Sequence, residues 1–330
     1  MTLKSLNTRY AKLIRKMTVM SIGLLAAVSL LGLTGLCAGA TGFNRHTAEA
    51  DKSIPALQDS IVASLFVNEQ QLTASDGVFG DGFGHSVAFS GSTVFVSAIG
   101  DNFGHGAVYV FKRQGGSWVE EQKLTASDGA SGDGFGQSVG ISGSTLVAGS
   151  PGDDIFKGSI YLFKRQGGNW IEEQKLTASD GAPVDFFGFS AAISGSTIVV
   201  GSIGEDLGSH FDQGSVYVFN RQGGSWVEEQ KLTASDAGPG DFFGWSVAVS
   251  DSTIVVGVPF ETISGSNTPG SAYVFNRQGA DWVVTQKLTP SNGEADDFFS
   301  FSVAVSGSTV VVGAENSGNI GQGSVYIFKP

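Results

Sequence analysis

Two sets of acids recur in this 330-residue chain at spacings that could do chemistry. Asp81, Asp133, Asp185, Asp241 and Asp297 fall 52, 52, 56 and 56 residues apart, and Asp76, Asp128, Asp180 and Asp236 each lie five residues before one of the first set. Carboxylates in such loops accept hydrogen bonds from turn amides, or hold an oxygen-loving cation where several converge. A position that repeats in every copy does the same job in every copy, so both sets read first as turn structure. A third set varies between copies: Asp101, Asp153, Asp154, Glu205, Asp206 and Glu261, in the segments 100–106, 151–158, 204–214 and 259–270, with a fifth such segment at 315–323. Function sits on loops that vary over a fixed frame, and these six acids are the expected ligand contacts. Phe189, Trp245 and Phe301 share one repeat position with His85 and Gln137. They suit either a stacking platform near an axis or packing between units.

Catalysis asks for more than this. An enzyme needs a converging set of acids, bases or metal ligands. The four histidines, at 46, 85, 105 and 210, belong to different segments, and no H-E-x-x-H is present. The only cysteine, Cys37, precedes the repeats, so the repeats hold no thiolate site and no disulfide. The expectation is a protein that is not an enzyme.

The elements that position these residues follow from the repeat. The Leu of a Q-x-L run falls at 72, 124, 176, 232 and 288, and a Phe at 83, 135, 187, 243 and 299. In the second copy four short strands are readable: 136–142, 144–149, 159–164 and 170–176. Ser142-Gly143 and Gln166-Gly167-Gly168-Asn169 supply tight hairpin turns. Four-strand repeats near fifty residues predict propeller blades. Trp118, Trp170, Trp226 and Trp282 mark only four outer strands for five repeats, while Phe66–Leu72 (FVNEQQL) aligns with Trp118–Leu124 (WVEEQKL). The predicted fold is all-β: a five-bladed β-propeller of four-stranded antiparallel blades, its ring closed by residues 66–72 completing the last blade.

The box around the repeated Phe stands as Phe83-Gly84-His85-Ser86, Phe135-Gly136-Gln137-Ser138, Phe187-Gly188-Phe189-Ser190 and Phe243-Gly244-Trp245-Ser246, and departs to Phe299-Ser300-Phe301-Ser302. With the closes Gly149-Ser150-Pro151, Gly257-Val258-Pro259 and Gly313-Ala314-Glu315 it resembles the FG-GAP repeat of integrin α-chain propellers and of exported bacterial proteins. The resemblance covers about four-fifths of the chain. It implies a Ca²⁺ site in a D-x-D-x-D-G loop between the first two strands. The corresponding turns here are Ser90-Gly91-Ser92, Ser142-Gly143-Ser144, Ser194-Gly195-Ser196, Ser250-Asp251-Ser252 and Ser306-Gly307-Ser308. They are too short and too poor in carboxylate, so no metal or other cofactor is expected.

The N-terminus is a separate object. Lys4, Arg9, Lys12, Arg15 and Lys16 precede an uncharged run from Met17 to Asn44, with Ala38-Gly39-Ala40 as a small-x-small site. Residues 1–40 read as a cleaved export signal or, alternatively, a membrane anchor, with lipidation at Cys37 a third alternative. Residues 41–60 read as a linker and 61–330 as the propeller. Removal of residues 1–40 takes away five positive charges and no acid, moving the formal net charge from −12 to −17. That charge excludes nucleic acid and anionic membrane as partners of the processed chain. The function expected is an exported, non-catalytic binding or adhesion module, secreted or held in the cell envelope, with a protein or glycan ligand. The alternatives are a glycan-active hydrolase and a lectin with sugars between blades.

Overall fold

A computed structural model describes residues 69–208, 210–263, 266–317 and 321–330. The chain divides into two compact units, 1–71 and 72–330, and every described strand belongs to the second. The export signal, anchor, Cys37 and linker readings all lie outside the described residues.

The second unit is a five-bladed β-propeller. Blade 1 comprises β1 (Phe83–Ser90), β2 (Thr93–Ala98), β3 (Ala107–Gln114) and β4 (Ser117–Leu124), and blade 2 comprises β5 (Val139–Ser142), β6 (Thr145–Ser150), β7 (Ser159–Gln166) and β8 (Asn169–Leu176). Blade 3 comprises β9 (Phe187–Ser194), β10 (Thr197–Ser202), β11 (Ser215–Gln222) and β12 (Ser225–Leu232). In blade 4, β13 (Ser246–Ser250) and β14 (Thr253–Val258) are followed by a small hairpin, β15 (Thr262–Ile263) with β16 (Ser266–Asn267), then β17 (Ser271–Gln278) and β18 (Asp281–Leu288). Blade 5 is β19 (Phe299–Ser306), β20 (Thr309–Ala314) and β21 (Ser324–Phe328). Strands within each blade are antiparallel and in sequence order. The sheet of blade 5 is described with three strands. Of the segment expected to complete it, 66–68 lie outside the described residues and 69–72 carry no strand. Among the described residues no helix is long and apolar enough to cross a membrane.

The burial pattern explains the strand types. The second strand of blade 2, TLVAGS, is buried at all six positions because blades cover both of its faces. It therefore reads as a continuous small or apolar run rather than an alternation. The outer strand NWIEEQKL is covered less and keeps charge at its exposed positions. The hairpin between β7 and β8 turns on Gly167 (φ 57°) and Gly168 (φ 99°). Two successive positive φ values match the strand twist in a two-residue turn and favour glycine at both positions.

Blades are joined by apolar faces. Phe95, Val108, Val110 and Leu124 of blade 1 pack on Phe135, Leu146, Tyr161 and Trp170 of blade 2. The fully buried Phe135 ring lies edge-on to Tyr161 and Phe163, with centroids 5.6 and 5.9 Å away. Equivalent pairs recur around Phe187, Phe243 and Phe299. The Phe box is thus the packing node of each blade.

Candidate functional site

One rim collects the second-to-third loops and the loops that lead into each blade. At the base of this rim, blades 1 to 4 carry the same polar constellation. In blade 1 the Tyr109 hydroxyl donates to Asp76 Oδ1 at 2.7 Å, while Lys123 Nζ reaches Asp76 Oδ2 at 2.7 Å and Asp101 Oδ1 at 2.9 Å. Blade 2 repeats it with Tyr161 on Asp128 at 2.6 Å, and Lys175 at 2.7 Å from both Asp128 and Asp153. In blade 3 Lys231 lies between Asp180 at 2.7 Å and Glu205 at 2.5 Å, and Tyr217 donates to both carboxylates. In blade 4 Lys287 lies between Asp236 at 2.7 Å and Glu261 at 2.6 Å, with Tyr273 donating to both.

Four of the six acids expected to face a ligand are therefore occupied elsewhere. Asp101, Asp153, Glu205 and Glu261 are buried, and each is neutralised by a lysine. A buried carboxylate is tolerated when it is paired in this way. The place between two carboxylates where a metal cation would sit holds an ammonium group. Asp154 is exposed and pairs with Lys157 at 2.8 Å, and Asp206 accepts the Asp212 amide at 3.0 Å. Among the described residues no three His, Cys, Asp or Glu side chains converge as a metal-ligand set.

The electrostatics follow the geometry. Hydrogen bonds from Lys175 and then Tyr161 hold Asp128 below the usual carboxylate range, outweighing partial burial. Burial pulls Lys175 down, but its bonds to Asp128 and Asp153 win and raise it above an ordinary lysine. Burial first, then the bond to Asp128, pushes the Tyr161 phenol up.

The Asp set two residues before each Phe box caps turns, as the repeat implied. Asp81, Asp133, Asp185, Asp241 and Asp297 each accept the amide of the residue three before, at 2.7, 2.6, 2.6, 2.6 and 2.9 Å. The repeated serines differ from the expectation that they accept turn amides. Ser75, Ser127 and Ser179 instead donate, through amide and hydroxyl, to Glu120, Glu172 and Glu228 on an outer strand.

Above the constellations the loop tips are exposed and apolar. Phe103 and Ile155 stand out at 89% and 64% exposure, and Phe79 and Phe211 are exposed as well. Phe103 (φ 61°) and Ile155 (φ 60°) also hold left-handed backbone. That conformation is a true outlier for a β-branched or bulky side chain, and such strain concentrates at functional sites. Sequence reasoning missed these tips because they sit between acids. It also missed Lys123, Lys175, Lys231 and Lys287, whose signal was available: each directly precedes the Leu of the repeat.

Phe189, Trp245 and Phe301 do meet, but on one another. Trp245 lies 4.9 Å from Phe189, 5.4 Å from Phe301 and 4.9 Å from Phe260, and is itself buried. They pack blades 3, 4 and 5 together. A short match to the nucleophile pattern G-x-S-x-G occurs at 136–140, but Ser138 is buried, leads into a strand, and donates to the Gly188 carbonyl at 3.0 Å. A hydroxyl tied across a blade junction and lacking the strand-to-helix turn is structural. On the opposite rim the basic side chains pair across blades: Arg165 with Glu121 at 3.5 Å, and Arg277 with Glu229 at 2.6 and 2.7 Å.

A family model described as FG-GAP repeat matches residues 66–111, 118–163, 170–219, 226–275 and 282–328. No curated protein matches the chain. Among solved structures, hydrazine synthase of Kuenenia stuttgartiensis is similar at 15% identity and a TM-score of 0.47, over 79% of this chain and 66% of that one.

Proposed function

The chain belongs to the FG-GAP repeat family, and from that premise we propose that it is an exported, non-catalytic binding module that engages a protein ligand through apolar tips on its variable rim, as in adhesion. The observation that carries this reading is the division within each rim loop. The acids are buried and paired, whereas Phe103 and Ile155 are exposed on strained backbone. Exposed apolar groups on a rigid frame mark interaction sites, and aromatic anchors dominate binding energy. Catalysis has no support at this rim, since its carboxylates are satisfied by lysine and tyrosine.

The test is a protein and glycan array probed with the full chain, followed by Phe103→Ser and Ile155→Ser. Each is expected to weaken binding to any captured protein by about tenfold or more, with folding stability changed by no more than about 0.5 kcal/mol. Hydrolysis of a glycan, or binding that is lost only on changing Asp154 or Asp206, would sink the proposal.

A further inference from the structure

Four junctions between successive blades use one set of contacts, and the parts of a fifth set are present but unmade. At each junction the glycine closing a rim loop lies against the next blade's Phe box, with no room for a Cβ: Gly106 on Phe135, Gly158 on Phe187, Gly214 on Phe243 and Gly270 on Phe299. Beside it the Phe amide donates to the residue before that glycine: to His105, Lys157, Gln213 and Pro269, at 3.0, 2.9, 2.8 and 2.7 Å. Gly323 closes the fifth loop with φ 74°, yet faces only the carbonyls of Ala314 and Glu315 in its own blade. The Phe83 amide makes no such bond to Gln322.

The apolar faces tell the same story. Val108, Ile160, Val216 and Ala272 are fully buried at their junctions, while Val325, fifth in the series, is 68% exposed. Ile327, the counterpart of the buried Val110, is 62% exposed. On blade 1, Val87 and Phe89 are 65% and 62% exposed, although Val139, the counterpart of Val87, is buried. A hollow of about 530 Å³ lined by Phe301, Gly323 and Val325 opens on the blade 5 face. A groove of about 280 Å³ beside Val274, Leu288 and Phe328 runs along the unpartnered edge of β21. Gln122, Gln174 and Gln230 each exchange two hydrogen bonds with the backbone of the next outer strand, at Trp170, Trp226 and Trp282. Gln286 is next in that series, is exposed, and pairs with no described residue.

We propose that these two uncovered faces dock on each other between two copies of this chain, head to tail. Blade 1 of one copy covers blade 5 of the next and brings its own segment 66–72 to the edge of β21. The faces are the same positions that already pair at four junctions, so continuity with an existing interface identifies the occupant. Charge identifies it again. In blade 5 the acids of the constellation are replaced by Asn292 and Ser317 around Tyr326, whose hydroxyl meets Asn292 Oδ1 at 3.1 Å. In segment 66–72 the lysine is replaced by Gln71. A blade bearing lysine would bury an ammonium with no carboxylate, whereas Gln71 of the second copy leaves all four groups neutral. The repeat register then sets Leu72 of that copy opposite Val325, and Gln71 opposite Tyr326, as Leu124 and Lys123 lie opposite Val108 and Tyr109. Such heterologous contacts propagate or close into rings.

The test is sedimentation equilibrium of the full chain over a wide concentration range. The mass is expected to rise above that of one chain. Val87→Asp and Ile327→Asp each spoil one face and are expected to stay as single chains, yet their mixture should give a two-chain complex through the intact faces. Gln71→Lys is expected to weaken association about tenfold or more, and Asn292→Asp with Ser317→Asp in the same chain to restore it. These substitutions fall on exposed or rim positions, and circular dichroism confirms that each variant folds. A wild-type mass fixed at one chain, with no complex on mixing, would overturn the proposal, as when both faces close on each other within one chain. So would an unchanged association constant for Gln71→Lys.

Discussion

The base and the tips of the rim loops lie a few residues apart and obey different rules. At the base, Asp153 is buried, holds Lys175 at 2.7 Å, and has a counterpart in blades 1, 3 and 4. At the tip, Ile155 is exposed, strained and without a counterpart in the longer loops of blades 3 and 4. Acidic character alone would direct a ligand to the base. Geometry directs it to the tip, because a carboxylate already satisfied by an ammonium and a phenol has little left to offer. The lesson is that a charge's partner has to be found before the charge is read as a site.

The largest expected effect tests whether the central aromatics belong with the base, as structure. Trp245→Ala should cost about 3–5 kcal/mol in urea melts, the usual loss for a large buried ring. A cost under about 1 kcal/mol would return Trp245 to the exposed, ligand-facing class. Next, Lys175→Met removes the cation between Asp128 and Asp153. It should cost about 2–3 kcal/mol, less than a fully buried pair because Asp128 is half exposed; a neutral result would mean that the base is as dispensable as the tip.

The pH profile sharpens the same contrast. Lys175 is raised above its ordinary 10.5, so its contribution is complete below that value and fades as pH climbs through the higher folded value. Asp128 is lowered below 3.8, so its contribution is complete above that value and fades as pH falls through the lower folded one. Melting temperature should therefore drop in strong alkali and strong acid, and Lys175→Met should flatten the alkaline arm. An alkaline arm identical to wild type would separate the lysine from stability. The smallest effect is Tyr161→Phe, which removes one hydroxyl donor at 2.6 Å from Asp128 and should cost about 1 kcal/mol. Chemical denaturation of that variant checks it.

The blades were legible in the sequence because each strand writes its burial into residue type: the Phe box, the small second strand, the outer Trp, and the glycine pair at 167–168. The constellations were half legible. Asp128 was visible as a repeat, but its partner Asp153 lies in a loop of variable length, where the acid precedes the closing glycine by five residues in blades 1 and 2 and by nine in blades 3 and 4. Fixed-period reading therefore scattered Asp101, Asp153, Glu205 and Glu261 into a variable set and mistook them for ligand contacts. Phe103 and Ile155 carried no signal, since a lone apolar residue in a loop declares neither exposure nor a left-handed φ.

The most direct test of the central claim, that the rim carboxylates serve the fold, is calorimetric unfolding of the full chain at neutral pH in millimolar Ca²⁺ and again in EDTA. Lysines already occupy the cation positions, so the melting temperature is expected to be the same in both. A clear rise with Ca²⁺, by the mass action of a ligand that binds the folded state, would mean that the carboxylates are free to take a metal, and would contradict the account.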